Sequence, residues 1–216
     1  VWKGTDDRYR IVVDDLTKPE QKPFDLIDNF DYEYTFVGND ESLLYFQTNR
    51  DAPRRRVIGI DLKHPEVESW KEIIAQTDNT LTGVDIVGHQ FLATYLQDAK
   101  TQVQQYSLEG KHVRDVELPG IGAATGFSGE SDHDESFYSF SSFAIPPGTY
   151  RYEVETGEST LLRQADVDFD PRDYRTIQVF YSSKDGTRVP MFITHRSDLE
   201  LDGSNPVLLY GYGGFN

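Results

Sequence analysis

The sequence predicts a mostly β protein, a partial β-propeller, on three observations. Apolar residues alternate with polar ones in short runs separated by Asp, Asn, Gly and Pro, and no long stretch keeps the 3.6-residue period of a helix. Three strings, LLYFQTNRDAPRRRVIGIDL, FLATYLQDAKTQVQQYSLEG and SFYSFSSFAIPPGTYRYEVETG, each read as strand, polar link, aromatic-bearing strand and acidic or Gly turn. They recur at intervals of roughly 45 residues, the period of a four-stranded propeller blade. The 13 Tyr, 13 Phe and 2 Trp supply more aromatic side chains than a disordered acidic chain would carry, so the 216 residues fold or belong to something that folds.

Along the chain the alternation marks strands at 9–13, 32–37, 43–47, 57–60, 82–87, 91–96, 102–108, 137–140, 149–154 and 159–162. Segment 64–74 has a weak helical alternative, and 70–74 reads equally well as an outer strand. About three and a half blade units fit before Asp170. A ring needs about four to eight, so this portion alone would leave edges unpaired. The texture changes at the proline-bearing acidic link DVDFDPRDY (166–174). Beyond it, 176–181 and 189–194 alternate around Lys184-Asp185-Gly186, a hairpin signal. After a polar loop, 207–210 is a continuous apolar run, which suits a strand buried on both faces as in an α/β sheet. The expected division is a partial propeller over 1–170 and a second architecture over 171–216.

The charge balance narrows the function. With 21 Lys+Arg against 37 Asp+Glu the net charge is -16, the wrong sign for a partner of nucleic acid or an anionic membrane. No apolar run approaches the roughly 18 residues of a membrane span. The absence of cysteine excludes disulfides, thiolate zinc sites and a cysteine nucleophile, leaving Ser, Thr, His, Tyr and carboxylates for chemistry. The start at Val1 and the stop at Asn216, directly after a Gly-rich stretch, give both ends the look of cuts.

Most motif-like strings read blandly. Asp166, Asp168 and Asp170 imitate the opening of a calcium loop, but Pro171 stands where Gly is required and Ile177 where the bidentate Glu belongs. Asp132-His133-Asp134 lies in a polar loop without a further ligand at defined spacing. Gly120, Gly122 and Gly126 resemble a dinucleotide fingerprint without its helix and read as a blade-to-blade turn. Glu130 spoils a nucleophile elbow at Gly126-Phe127-Ser128-Gly129, and His195 reads as a surface residue at a strand end. The stretch NPVLLYGYGGFN differs in kind. Glycines at 211, 213 and 214 would let a buried strand end in a tight turn that approaches a reacting group closely, and the phenol of Tyr212 is a neutral donor suited to an oxyanion. A plain strand-end turn is the competing reading.

YGYGGFN, preceded by YSSKDGTRVPMFITHR, resembles the opening of the α/β-hydrolase domain in the prolyl oligopeptidase family of serine peptidases. Upstream, LIDNF, FQTNRDAPRRRVIGID and FSGESDHDESFYSFSSF resemble that family's propeller, so the likeness runs over nearly the whole chain. It implies about three to four blades of a seven-bladed propeller over 1–170 and the first strands of the hydrolase domain over 171–216. It also implies a monomeric endopeptidase that needs no cofactor or metal and cleaves short proline-containing peptides after proline. By the resemblance, Tyr212 matches the tyrosine that forms the oxyanion hole with a backbone amide. Phe215 matches an aromatic lining the pocket for the proline ring. Gly214 and Phe215 fit the proline-specific branch, because a flat aromatic face stacks on a pyrrolidine ring and offers no charge to Lys or Arg. Arg50, in TNR, matches a cavity-facing propeller arginine, with a blade-turn residue as the alternative. The Ser, Asp and His of the triad would fall beyond Asn216. The rival function class is a non-catalytic propeller that binds partners through its loops.

Overall fold

The computed structural model describes residues 4–211 and divides the chain into two compact units, Val1–Asp166 and Val167–Asn216. The first unit opens with a two-stranded antiparallel pair, β1 (Ile11–Val13) and β2 (Phe24–Ile27). Three four-stranded antiparallel sheets follow, each built from consecutive strands. The first comprises β3 (Tyr34–Asp40), β4 (Leu43–Thr48), β5 (Arg56–Asp61) and β6 (Lys71–Ile74). The second comprises β7 (Thr80–Val87), β8 (Gln90–Gln97), β9 (Lys100–Ser107) and β10 (His112–Asp115). The third comprises β11 (Ala123–Ser128), β12 (Glu135–Ser141), β13 (Gly148–Glu153) and β14 (Ser159–Gln164). The three repeated strings are β4–β5, β8–β9 and β12–β13, the central pair of each sheet. Segment 64–74 forms no helix: a short 3-10 turn, Val67–Ser69, lacks a side-chain cap, and Ile74, Glu72 and Lys71 pair with β5 as the outer strand.

Period-two alternation sorts the side chains of the third sheet. Along β12, Ser136, Tyr138 and Phe140 are buried while Phe137 and Ser139 are exposed, and β13 repeats the pattern with Tyr150 and Tyr152 inside. Three apolar clusters result. Leu26 and Ile27 pack with Tyr34, Phe46, Ile58 and Ile60 of the first sheet. Tyr45, Val57 and Ile74 of the first sheet pack with Leu81, Phe91 and Ala93 of the second. Val87, Leu92 and Val103 of the second pack with Phe127, Tyr138 and Tyr152 of the third.

The first strands β3, β7 and β11 lie side by side. Each carries a register shift, between Phe36 and Gly38, Leu81 and Gly83, and Gly126 and Ser128. In β11 the extra residue needs left-handed backbone: Gly126 has φ +109° and Phe127 φ 62°, and a Cβ on Gly126 would stand 2.7 Å from the Phe137 carbonyl oxygen. Such bulges bend a strand and sharpen its twist.

The second unit is a hairpin of β15 (Tyr174–Ser182) and β16 (Arg188–Arg196), in continuous register from Tyr174 opposite Arg196 to Ser182 opposite Arg188. Its turn holds Asp185, which accepts bonds from the Ser183 hydroxyl and, at 3.0 Å, from the Thr187 amide; these draw its carboxyl down to about 2. Gly186 supplies φ +84°. Asp170, read at first beside a calcium-like spacing, caps the turn Pro171–Asp173 by accepting from the Arg172 amide at 2.9 Å. The apolar run 207–210 departs from expectation. It forms no strand, and Val207, Leu208, Leu209 and Tyr210 are 80–92% exposed. A strand buried on both faces needs neighbours to pair with, and among the described residues this unit's only sheet is the two-stranded β15–β16 pair.

Candidate functional site

Tyr212 and Phe215 lie outside the described residues, so Arg50 is the predicted site residue with geometry to report. It follows β4 in the loop to β5, and its amide donates to the Thr48 hydroxyl at 3.1 Å. Its guanidinium stands 5.1 Å from the Trp70 ring and 5.7 Å from the Tyr32 ring, and its Nε lies 3.7 Å from Asp51. The Tyr34 phenol bonds to the same guanidinium, which raises the arginine's pKa; burial pushes the phenol itself up. Cation–π contacts of this kind contribute about 0.5–2 kcal/mol each. The side chain is 28% exposed. A cation held near two rings in this way can fasten a blade end and still present N–H groups to a carbonyl or carboxylate.

The other singled-out residues are dispersed. Gly120 and Gly122 occupy the link between β10 and β11, where the Gly122 carbonyl accepts from the Thr101 amide at 3.1 Å, and Gly126 forms the bulge in β11. His133 is exposed in the β11–β12 turn, and the His195 Nδ1 sits 2.8 Å from the Arg196 carbonyl oxygen. Among the described residues no three His, Asp or Glu side chains are grouped to hold a metal ion.

Sequence reasoning missed a buried polar network. Gln105, 0% exposed on β9, donates to the Gln90 Oε1 at 2.6 Å and to the Val154 carbonyl oxygen at 2.9 Å, and its Oε1 accepts from the Tyr152 hydroxyl. Burial pushes the Tyr152 phenol up to about 12, so it remains a protonated donor. A second chain runs outward from a buried phenol. The Tyr95 hydroxyl meets the Tyr106 hydroxyl at 3.3 Å, Tyr106 donates to Gln104 at 2.7 Å, Gln104 donates to Asp115 at 2.8 Å, and His112 lies 3.0 Å from the same carboxylate. Burial raises the Tyr95 phenol far above its ordinary value, which disqualifies it as a nucleophile or base near neutral pH. The run QVQQYS held a signal, a glutamine two residues after Val103 and therefore on the same face of β9.

Residues 1–165 match the family model described as prolyl oligopeptidase, N-terminal beta-propeller domain. A prolyl endopeptidase of Elizabethkingia meningoseptica is 42% identical over 191 residues, which cover 88% of this chain and 27% of the relative. Prolyl oligopeptidase B of Galerina marginata superposes with a TM-score of 0.88 at 30% identity, over 99% of this chain and 31% of that one. A solved prolyl endopeptidase, from a study of inter-domain dynamics in catalysis and specificity, gives a TM-score of 0.77 at 43% identity over 91% of this chain and 29% of that one. The chain thus spans about a quarter of the length of the curated relatives it matches. Consecutive four-stranded sheets with their first strands side by side are the expected form of propeller blades, and with the model matched over most of its length the chain belongs to the prolyl oligopeptidase family.

Proposed function

We propose that this chain is part of a serine-type endopeptidase that cleaves short peptides on the carboxyl side of proline. It would contribute later blades of the propeller, the first strands of the α/β-hydrolase domain over 171–216, and the oxyanion tyrosine. The observation that carries the reading is the extent of the likeness: it covers 99% of the chain against a solved prolyl oligopeptidase, and so runs past the last blade through the β15–β16 hairpin. In the full-length protein a Ser from beyond Asn216 would attack the carbonyl carbon of the proline residue, a His oriented by an Asp taking its proton and passing it to the amine that leaves. The Tyr212 hydroxyl, with a backbone amide, would donate to the oxyanion of the tetrahedral intermediate. Phe215 would stack on the proline ring. The reaction draws on protein groups alone, with no cofactor.

The 216-residue chain by itself is expected to be inactive, since its nearest approach to a nucleophile elbow fails at Glu130. Incubation with a prolyl-amide chromogenic substrate and with a serine-directed phosphonate should give neither turnover nor covalent label above a heat-treated control. Either signal would overturn the assignment of the triad to the remainder of the protein. A Gly-x-Ser-x-Gly motif in the coding sequence beyond Asn216 would support the enzyme; its absence would return the chain to the non-catalytic propeller class.

Arg50 is proposed as a substrate contact supported by its ring cradle. Arg50→Met in the full-length enzyme keeps an unbranched apolar side chain at this position while removing the charge that stands over Trp70. The expected result is a KM several-fold higher for a peptide substrate, with kcat little changed. An unchanged KM accompanied by a lower melting temperature would reduce Arg50 to a fastening of the β4–β5 loop.

A further inference from the structure

The two seams between the three blades are built differently. Between the second and third sheets, hydrogen bonds cross at both ends and in the middle. At one end the His89 amide donates to the Ser131 carbonyl at 2.8 Å, and Arg114 donates to the Glu155 carbonyl at 3.0 Å. At the other end the Thr101 amide bonds the Gly122 carbonyl at 3.1 Å, and the Ala124 amide donates to the Thr101 hydroxyl at 3.0 Å. Midway, Gln105 joins the Val154 carbonyl and the Tyr152 hydroxyl inside the apolar cluster.

Between the first and second sheets the cross-seam bonds among the described residues converge on Leu81 at one end. The Leu81 amide donates to the Arg54 carbonyl at 2.9 Å, and the Leu81 carbonyl accepts from Gln47 and from Arg55, each at 3.4 Å. Arg54 also pairs with Asp78 at 3.2 Å in the link just before β7, at the same end. In the body of this seam Tyr45 meets Phe91 edge to face with centroids 5.0 Å apart beside Val57, Ile74, Ile86 and Ala93, and the Tyr95 and Tyr106 hydroxyls in the same cluster bond to each other within the second sheet and not across the seam. At the far end Gly38 lies beneath Ile86, and Gly110 lies against the Ile73 carbonyl, so closely that a Cβ there would stand 1.8 Å from the oxygen.

Directional bonds hold a seam in one orientation, whereas apolar contact is non-directional and fixes no single orientation of the packed layers. We propose that the seam between the first and second blades is a hinge pivoting at Leu81, and that the second and third blades move across it as one block. Small rotations about the Leu81 end would part Gly38 from Ile86 while every sheet keeps its own ladder. This is the form of a hinge or shear movement between packed layers.

Cysteine accessibility reads such opening directly, because these 216 residues contain no cysteine. In the full-length protein, Ala93→Cys and Ile86→Cys place thiols in the middle and at the far end of the first seam, and Ala124→Cys and Val103→Cys place them in the second, all at positions no more than 8% exposed. Maleimide labelling, resolved by peptide mass spectrometry, should be at least about tenfold faster at each first-seam position than at its second-seam counterpart. The first-seam rates should also change little with urea below the unfolding transition. Equal rates within both pairs, or first-seam labelling that follows global unfolding, would overturn the hinge. If one pair disturbs folding, the other decides.

Discussion

Replacing Tyr212 with phenylalanine in the full-length protein is expected to lower kcat by about a hundred- to a thousandfold while KM scarcely moves. The proposed hydroxyl donates only as negative charge develops on the attacked carbonyl oxygen, so its loss is felt in the transition state and not in the bound ground state. One oxyanion donor is worth about 2.7–4 kcal/mol, and a surviving backbone donor places the result toward the lower figure. The phenyl ring keeps nearly the volume of the phenol, so the loss reports the hydroxyl. Phe215→Ala in the same enzyme should behave in the opposite way. It should raise KM for proline substrates and narrow the preference for proline over alanine at the cleaved position, because ring stacking contributes already in the ground state. Steady-state kinetics on both variants separates the roles. Full kcat in Tyr212→Phe, or a change confined to KM, would overturn the oxyanion role.

The sequence displays the middle of each blade and conceals its margins, for physical reasons. In β13 the inward Tyr150 and Tyr152 alternate with the outward Thr149 and Arg151, so the period of two stands out. In β11 the string AATGFS combines small residues with a bulge at Gly126–Phe127, and the bulge resets the alternation that a reader depends on. The edge strand β10, HVRD, has no buried residue to give it a pattern. The run 207–210 misleads for the converse reason: its apolar character describes neighbours that the described part of the second unit does not contain. The candidate site divides the same way. Tyr212 and Phe215 are proposed from their glycine-spaced setting and family resemblance alone, since both lie outside the described residues. The cradle of Arg50 joins Tyr32, Tyr34 and Trp70, which come together only when β3, the β4–β5 loop and the approach to β6 are folded. Gln105 is hidden for a further reason, since glutamine in a strand ordinarily reads as a solvent-facing residue.

That glutamine gives the largest stability effect expected within the propeller unit. Gln105→Leu removes an amide that serves three partners, leaving the Tyr152 hydroxyl, itself 0% exposed, and the Val154 carbonyl without their bonds. Each orphaned buried group costs about 1–3 kcal/mol, so the single substitution should destabilise by about 2–4 kcal/mol even though leucine is the more apolar side chain. Tyr152→Phe alone should cost about 1–2 kcal/mol, because it strips one donor from the Gln105 carbonyl. Together the two changes remove both members of the phenol–amide bond, so the double variant should be more stable than the sum predicts by about 1 kcal/mol or more. Denaturant midpoints for the full-length protein and its three variants supply the cycle. The pH dependence follows from the phenol: its folded pKa is raised from 10.0 to about 12, so its contribution is complete below pH 10 and declines as the pH rises toward 12. Tyr152→Phe should flatten that decline. Strict additivity in the cycle, or a Gln105→Leu protein that matches the parent's midpoint, would show that the blade seam is held by its apolar contacts and that the network is incidental to it.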